Sequence, residues 1–302
     1  MTSRPLTRNA HVFTVDVEDF AHAHGYVRDP SIDWSEHPSS IERNVDSMLD
    51  LLGRSQSRAT FFVLASVAER YPGLVRRIVD CGHEVAAHGR CHRPQQALRP
   101  DKFREDARAC KAALEDAGGH AVIGYRAPDF SASSNDNWAL DVLLDEGYRY
   151  DSSLLPLRAP PLGAADRASA ADALPVPHVV RRPTGSLVRF PLATARVGRF
   201  RIPAAGGEYF RHFPYAVTRR VLREHARSGI PGVFFIRCWE IDSELPHRTL
   251  PFLARMRHSR GLRTTVPKLQ LLLADFHFTS CSRVLSEASP RATAARAPRL
   301  AG

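Results

Sequence analysis

The stretch HVFTVDVED, residues 11–19, ends an apolar run in three acidic side chains. The apolar part predicts a buried β-strand, and Asp16, Glu18 and Asp19 stand where that strand ends. Because successive side chains of a strand point to opposite faces, Asp16 and Glu18 share one face. Neighbouring carboxylates repel each other, so such a pair usually shares a cation or a proton. The stretch therefore indicates either a functional site at a strand end or a solvated acidic turn.

Predicted helices and strands alternate beyond this first strand. The helices are expected over residues 39–53, 66–81, 100–117 and 136–146, and the strands in ATFFVL, HEVAAH, AVIGYRAP and GYRYDSS. This rhythm is typical of parallel strands joined by crossover helices. Polar clusters come directly after the strands, at the rim where α/β barrels place their sites. Ser39 and Glu42 have the spacing of a capping box at the start of the first helix.

The second half of the chain begins with a shift in composition. Residues from about 155 to 185 are rich in Pro, Ala and Arg without a clear period, which predicts a long loop or insertion. The elements predicted after it are a strand or hairpin in 188–207, a helix over 214–228, a strand over 233–236 and a helix in VPKLQLLLADF. The tail has few bulky apolar side chains, so we expect one domain over residues 1–285 and a disordered tail over 286–302.

The strand over 233–236 belongs to the stretch GVFFIRCWEID, which runs from four apolar residues straight into a polar cluster. Arg237, Trp239 and Glu240 are prominent members of that cluster. The stretch indicates either a site at the end of a strand or a strand that leaves the core for solvent.

Two histidines stand four residues apart in the stretch HEVAAHGRCH. At a turn after a strand, this spacing lets His88 and His92 reach one metal ion. Two histidines and a strand-end acid together predict the open arrangement of hydrolytic zinc sites. The chain has 14 histidines, so the spacing alone is a weak signal. Cys91 lies between the two and could bind a soft metal, although we expect it to pack.

Two further polar turns follow predicted strands. The first, GYRAPDFS, contains Arg126, and the second, YDSSLLP, contains Asp151. An arginine and an aspartate on one rim predict an ion pair that orients a catalytic carboxylate. The alternative is a structural salt bridge.

The order of these motifs resembles the polysaccharide deacetylase family, the NodB-homology domain of carbohydrate esterase 4-like proteins. TVDVED, HGRCH, RAP and YDSS resemble its first four motifs in order, within residues 10–283. GGEYFR and WEID are similar to the subgroup associated with exosortase and exopolysaccharide systems. The resemblance implies a distorted (β/α)7 TIM-like barrel. It also implies a hydrolase that removes acetyl groups from N-acetylated glycans with a divalent metal, most often zinc.

The resemblance implies a role for individual residues. Asp16 matches the general base of the family, and Arg126 matches the arginine that holds this base. A backbone N–H after Asp151 is expected to help hold the oxyanion. The residues expected to contact substrate are Asp129, Trp239 and Glu240.

The metal ligands implied by the resemblance are His88, His92 and one carboxylate. Many relatives have adjacent aspartates in the first motif, whereas here Val17 follows Asp16. Relatives with an acid two positions on make Glu18 the expected ligand, with Asp19 as the alternative.

The chain departs from the family at the last motif, where Arg237 stands in place of a histidine that acts as the acid. Arginine stays protonated at any useful pH and cannot protonate a leaving amine, but it could stabilise an oxyanion. The remaining candidates for the acid are His22, His24, Asp129 and Glu240. Two alternatives therefore stand beside an active deacetylase: a glycan-binding protein without turnover, and a hydrolase of other non-peptide C–N bonds.

The composition of the chain bears on its binding partners and on its cellular compartment. A net charge of +10 and a pI near 9.9 are compatible with an anionic partner. No basic run has interleaved aromatic residues, so we expect a solvated surface and no nucleic acid. Five scattered cysteines without a CxxC motif indicate reduced thiols and a cytoplasmic protein. We expect neither a signal peptide nor a transmembrane segment, because no apolar run is long enough.

Overall fold

A computed structural model of the chain describes residues 10–20, 39–130, 137–156, 174–197, 200–244 and 259–294. The strands are β1 (His11–Val17), β2 (Thr60–Val63), β3 (Glu84–Ala87), β4 (Gly124–Tyr125), β5 (Tyr150–Asp151), β6 (His178–Arg182), β7 (Gly185–Arg189), β8 (Thr194–Val197), β9 (Phe200–Pro203), β10 (Val233–Arg237) and β11 (Phe278–Thr279). The helices are α1 (Ile41–Arg54), α2 (Ala65–Arg70), α3 (Pro72–Asp80), α4 (Pro100–Gly118), α5 (Asn137–Asp145), α6 (Gly207–His212), α7 (Tyr215–Arg227), α8 (Leu262–Asp275) and α9 (Cys281–Ala294). None of the described helices is both long and apolar enough to cross a bilayer.

One mostly parallel sheet organises the described residues. Its strand order is β10-β1-β2-β3-β4-β5-β7-β6, with β11 paired to β1, and only the β6–β7 pair is antiparallel. β1 is buried along its whole length because it lies between β10 and β2. This parallel order with helical crossovers confirms the predicted α/β class.

The sheet curls so that distant strands face each other. β1 and β4 stand three positions apart in the sheet order. In a flat sheet they would lie ~14 Å apart, with their side chains side by side. Instead, Nη1 of Arg126, just after β4, lies 2.6 Å from Oδ1 of Asp16 and 2.9 Å from Oγ1 of Thr14 in β1. The curl therefore brings the carboxyl ends of the strands around one common site.

The register explains why the predicted site residues gather. Asp16 pairs with Phe62 in β2 and with Arg237 in β10, so these three strands end at one level. Glu18, His88 and Arg126 directly follow β1, β3 and β4, and Asp151 and Arg237 end β5 and β10. The stretch GVFFIRCWEID thus ends at the rim of the sheet, and the alternative of a strand that leaves for solvent is wrong.

The helix predicted over 66–81 is two helices. α2 ends at Arg70 and α3 begins at Pro72, with Tyr71 between them at φ −130° and ψ 62°. A residue before proline is pushed out of the helical region because the proline ring collides with it. The helical spacing of apolar residues continues across the break. For that reason the sequence pattern predicted a single helix.

The predicted capping box at α1 does not form. Ser40 is the N-cap, and no side chain caps the helix there. Ser39 Oγ accepts a 3.3 Å bond from the N–H of Ile41, while Glu42 pairs with Arg77 on α3 at 3.0 Å. The tertiary ion pair takes the carboxylate that a capping box would use.

The structure describes parts of two segments that the sequence analysis predicted to be irregular. The loop predicted from about 155 to 185 contains β6, which forms a hairpin with β7, although residues 157–173 lie outside the described part. The tail predicted to be disordered from Ser286 continues as helix α9 to Ala294, and residues 295–302 are not described. The hairpin predicted in 188–207 is present as β8 and β9.

The two glycines of GGEYFR allow a close approach to β10. A Cβ on Gly206, at φ +142°, would lie 2.1 Å from the carbonyl oxygen of Phe235. The N–H of Phe235 donates to Ala205 at 3.1 Å, so this segment covers the outer edge of β10. Glycine is required there because no side chain fits between the two backbones.

Two buried histidines make the fold sensitive to mild acid. Nδ1 of His11 accepts a 3.0 Å bond from the N–H of Gly232, and Nδ1 of His83 accepts a 3.2 Å bond from that of Ala59. Burial lowers the pKa of both histidines from 6.5 to about 4. Between these values the unfolded chain binds more protons than the folded one, so stability is lost as the pH falls.

We expect the free energy of unfolding, measured by urea titration, to be lower at pH 5 than at pH 7 by on the order of 1 kcal/mol for each of the two histidines. His83→Gln keeps a neutral acceptor for Ala59 and should have a shallower pH dependence. An identical slope in the variant and the parent protein would contradict the assignment of His83.

Candidate functional site

Three side chains that could hold a metal ion meet at the carboxyl ends of β1 and β3. They are Glu18, His88 and His92, whose ligand atoms all lie within 4.8 Å of one another. Glu18 and His88 are almost fully buried, and the His92 side chain is only 5% exposed. Nε2 of His88 lies 3.8 Å from Oε2 of Glu18, and Nε2 of His92 contacts the same oxygen. Among the described residues, this is the cluster the sequence predicted with Glu18 as the carboxylate.

Hydrogen bonds fix which atom of each group faces the cluster. Nδ1 of His88 lies 2.9 Å from the carbonyl oxygen of Arg126, which can only accept, so Nδ1 carries the proton and Nε2 faces the cluster. Oε1 of Glu18 accepts from Nε of Arg237 at 2.8 Å and from Nε1 of Trp239 at 3.3 Å. The other oxygen of Glu18, Oε2, therefore faces the two histidines. Such outer contacts are typical of metal ligands.

The cluster fits a divalent metal ion. Nε2 of His88 is buried without a hydrogen-bond partner among the described residues, and the buried Oε2 of Glu18 faces only the two histidines. Buried polar atoms without partners are costly, and a bound cation would satisfy both. Two imidazoles and one carboxylate suit zinc and similar transition metals better than calcium or magnesium.

The charges of the cluster are strongly coupled. Burial alone would raise the pKa of Glu18, but His92, His88 and Arg237 hold the pKa of this carboxyl well below its usual range. Burial lowers the pKa of His92, and the stronger attraction of Glu18 and Asp129 raises it above its usual value. Glu18 is therefore a carboxylate, which is the form that binds a cation.

Asp16 and Arg126 form a buried ion pair beside the cluster. Their side chains are 3% and 0% exposed, and Nη1 of Arg126 lies 2.6 Å from Oδ1 of Asp16. Arg126 also donates to Oγ1 of Thr14 and to both oxygens of Ser152, and its guanidinium lies 4.0 Å from the ring centre of Phe62. With so many partners Arg126 is held in one position, and it fixes one oxygen of Asp16.

Asp151 is held by a different arginine. Nε of Arg189 lies 3.1 Å from Oδ2 of Asp151, and both side chains are buried. Asp151 also accepts from the N–H and Oγ of Ser153, whose Oγ accepts from the N–H of Ala127 at 2.8 Å. The ion pair predicted on this rim is therefore two pairs: Arg126 with Asp16, and Arg189 with Asp151.

The backbone after Asp151 does not offer the N–H expected for an oxyanion at its first two residues. The N–H of Ser152 donates to the carbonyl of Tyr125 at 2.8 Å, and that of Ser153 donates to Asp151 at 3.1 Å. Both donors are already used inside the fold.

Arg237 lies against the cluster of candidate metal ligands formed by Glu18, His88 and His92. Besides its contact with Glu18, its Nη2 is 3.7 Å from Oδ1 of Asp129, and its side chain is 13% exposed. Asp129 reaches the cluster because Pro128–Phe130 forms a tight turn, in which Asp129 and Phe130 have φ of +58° and +49°. His92 has φ of +51°. Positive φ is unfavourable for residues with side chains and is often found at functional sites.

Trp239 and Glu240 are buried and make supporting contacts. Trp239 is 2% exposed and donates to Glu18, whereas Glu240 has no exposed surface. Glu240 accepts from Nε of Arg211 at 2.8 Å and from the backbone N–H of Arg237 at 2.9 Å. These contacts hold the end of β10 and the first motif in place. The predicted contact with substrate stays untested for both.

Other predicted candidates lie elsewhere. Asp19 accepts from the backbone N–H of Phe20 at 2.7 Å and is outside the metal cluster. Cys91 is exposed, which contradicts the expectation that it packs. His22 and His24 lie outside the described residues. All five cysteines are free thiols.

Arg189 is the site residue that the sequence analysis missed. It lies 38 residues after its partner Asp151, on the far side of the predicted loop. No spacing rule links residues so far apart, and only the pairing of β5 with β7 brings them together.

A curled α/β sheet with two histidines and a carboxylate at its rim defines a barrel protein with a candidate hydrolytic metal centre. Residues 33–150 match the family model described as polysaccharide deacetylase. Over these residues the chain is therefore similar to polysaccharide deacetylases, which confirms the resemblance predicted from the motifs. Residues 152–286 match a model described as a domain of unknown function, DUF3473. The narrower exosortase-associated subgroup stays a prediction.

Two named relatives are similar to part of the chain. Peptidoglycan deacetylase of Helicobacter pylori is 31% identical over 114 residues, 38% of this chain and 38% of that protein. The peptidoglycan deacetylase-like protein FGM2 of Gibberella zeae is 31% identical over 107 residues, 35% of this chain and 30% of that protein. The chain thus spans about a third of the length of these relatives.

The solved structure shows the fold. A crystal structure of a proposed polysaccharide deacetylase from Mycobacterium smegmatis aligns with a TM-score of 0.64 and 19% identity, covering 100% of this chain and 96% of that one. It confirms the predicted distorted TIM-like barrel.

The Arg126–Asp16 pair gives a prediction about stability. Arg126→Met leaves a buried carboxylate without its partner, which should lower the free energy of unfolding by about 3–5 kcal/mol. The double variant Asp16→Asn/Arg126→Met should recover part of this loss, since the unpaired charge is gone. Denaturant unfolding of the parent protein, Asp16→Asn, Arg126→Met and the double variant measures both effects.

A matched control is Arg182→Met, which removes a partly exposed arginine paired with Asp141. It should cost less than about 1 kcal/mol. Strictly additive losses in the double variant at Asp16 and Arg126 would argue against a coupled ion pair.

Proposed function

We propose that this protein is a metal-dependent hydrolase that removes N-acetyl groups from a carbohydrate. The observation that carries the proposal is the meeting of two units at one rim: the Glu18–His88–His92 cluster and the buried Asp16–Arg126 pair. One unit suits a cation and the other holds a carboxylate in place. Amide hydrolysis needs both an electrophilic centre and a base.

Glu18, His88 and His92 would hold the metal ion, for which we propose zinc. Such an ion supplies Lewis acidity and makes a water molecule acidic near neutral pH. The outer contacts to Arg126, Arg237 and Trp239 would keep His88 and Glu18 oriented. A fixed ligand set costs little reorganisation when the ion binds.

Asp16 is proposed as the base. Arg126 fixes Oδ1 of Asp16, which leaves Oδ2 to accept the proton of the attacking water. The water oxygen then bonds to the acyl carbon, and the C–N bond breaks as the nitrogen takes a proton. The products are acetate and a free amine on the sugar.

The proton for the leaving nitrogen is proposed to come back from Asp16. Arg237 keeps its proton, because its interactions with Glu18 and other acids raise the pKa of the guanidinium further against the effect of burial. Glu240 is buried and bound by Arg211. A carboxyl that has just taken a proton can pass it to an amine, which is the stronger base. Arg237 would instead stabilise the negative charge that develops on the acyl oxygen.

The substrate class is proposed from the relatives. Two relatives carry the name peptidoglycan deacetylase or peptidoglycan deacetylase-like protein, and peptidoglycan contains N-acetylated sugars. We therefore propose an N-acetylated glycan as substrate. The similarity of GGEYFR and WEID to the exopolysaccharide-associated subgroup supports a proposed role in exopolysaccharide biosynthesis.

Purified protein supplied with zinc should release acetate from N-acetylglucosamine oligomers or peptidoglycan fragments, measured by an enzyme-coupled acetate assay. Asp16→Asn should lower the rate by on the order of 10²–10⁴-fold and still bind metal. His88→Ala should lose both activity and most metal binding. Full activity in Asp16→Asn would refute its role as the base.

Arg237 also favours a second candidate, a glycan-binding protein without turnover. This candidate predicts that N-acetylated oligosaccharides bind in calorimetry while no acetate appears, with metal bound. It further predicts that Arg237→His creates acetate release. If the unchanged protein already releases acetate, the second candidate is excluded.

A further inference from the structure

Arg237 is a permanent cation placed against a candidate cation site. Its Nε donates to Oε1 of Glu18 at 2.8 Å, on the same carboxylate whose other oxygen faces His88 and His92. Its Nη2 is 3.7 Å from Oδ1 of Asp129. Arg237 can therefore act on the site in two ways, by orienting Glu18 or by opposing the charge of a bound ion.

The orienting role is shared with other groups. Nε1 of Trp239 donates to the same oxygen of Glu18 at 3.3 Å, and Sγ of Cys238 donates to its backbone carbonyl at 3.1 Å. Trp239 and Cys238 are both buried. Glu18 would thus keep its direction without a charge at position 237, so the charge is the property that Arg237 alone contributes here.

The positive charge of Arg237 is expected to weaken the binding of a cation. Glu18 and Asp129 bring negative charge to the site, where Asp16 and Glu240 also attract Arg237, and Arg237 offsets part of that charge. Because Arg237 contacts the carboxylate of Glu18, its charge would repel a divalent ion held by that carboxylate, even in partly solvated surroundings. The site also shields this interaction from salt, because Glu18 is buried and Arg237 is 13% exposed.

We propose that Arg237 is a built-in counter-ion of Glu18 that weakens the binding of a divalent metal ion, and that Asp129 opposes it. The inference rests on the proposed metal site and concerns how tightly that site holds its ion. Arg237 is in this respect a positioning residue that acts through Glu18. An enzyme of this kind would exchange its metal readily and depend on the metal supplied.

The test is a titration of metal-free protein with Co²⁺, followed by calorimetry and by the visible spectrum of the bound ion. Arg237→Gln removes the charge and keeps a donor, so it should bind Co²⁺ about tenfold more tightly, which is ~1.4 kcal/mol. Arg237→Lys keeps the charge and should stay within about threefold of the parent protein. Thermal unfolding of each metal-free variant checks that it is folded.

Asp129→Asn tests the same charge balance with the opposite sign and leaves Arg237 in place. It should weaken Co²⁺ binding by about tenfold. Arg220→Gln removes an arginine on α7 that is 82% exposed, and it should leave the affinity unchanged. This control separates a local effect from the net charge of the protein.

Several results would overturn the proposal. One is an affinity in Arg237→Gln that is equal to or weaker than that of the parent protein. Another is an Arg237→Lys variant that binds as tightly as Arg237→Gln, since shape would then matter and not charge. An unchanged affinity in Asp129→Asn also contradicts it. If no protein binds Co²⁺, the metal site itself is refuted and this inference with it. Metal binding without acetate release would count only against the proposed activity.

Discussion

The contact between Arg126 and Asp16 spans the space enclosed by the curled sheet, and the arrangement of the site depends on this contact. Arg126 follows β4 and Asp16 belongs to β1, so the two can pair only in a curled sheet. The carbonyl of Arg126 also accepts from His88, which sets the ring nitrogen that faces the metal cluster. One residue thus connects the curl of the barrel, the proposed base and one proposed metal ligand. A buried guanidinium is tolerated there because nearly all of its donors have partners.

The end of β10 shapes the other side of the site. Arg237, Trp239 and Glu240 come from one short turn, yet each contacts a different group: Arg237 and Trp239 hold Glu18, while Glu240 binds Arg211. The glycines at 206 and 207 let the backbone cover the edge of β10 behind them. Arg237 places a positive charge directly against Glu18 at this point. We propose that this one position affects both the source of the proton and the affinity for metal.

Sequence patterns predicted the features that depend on residues close together in the chain. The apolar run in β1, the periods of α1 and α4 and the spacing of His88 and His92 depend on neighbouring residues, so they could be read directly. Prediction failed where a distant partner decides the outcome. Glu42 pairs with Arg77 instead of capping α1, and Asp151 pairs with Arg189 across an intervening segment. Such contacts depend on how helices and strands pack together, which the sequence pattern does not encode residue by residue.

The sequence by itself determined the class of fold, the family motifs and the residue types at the strand ends. These follow from side-chain periodicity and from short motifs, which need no knowledge of the third dimension. Only the tertiary structure decided that Glu18 and not Asp19 joins the histidines, that Arg126 holds Asp16, and that Arg237 lies against Glu18. The physical reason is the curl of the parallel sheet. It brings groups separated by up to about two hundred residues within hydrogen-bond distance, where burial and charge set their chemistry.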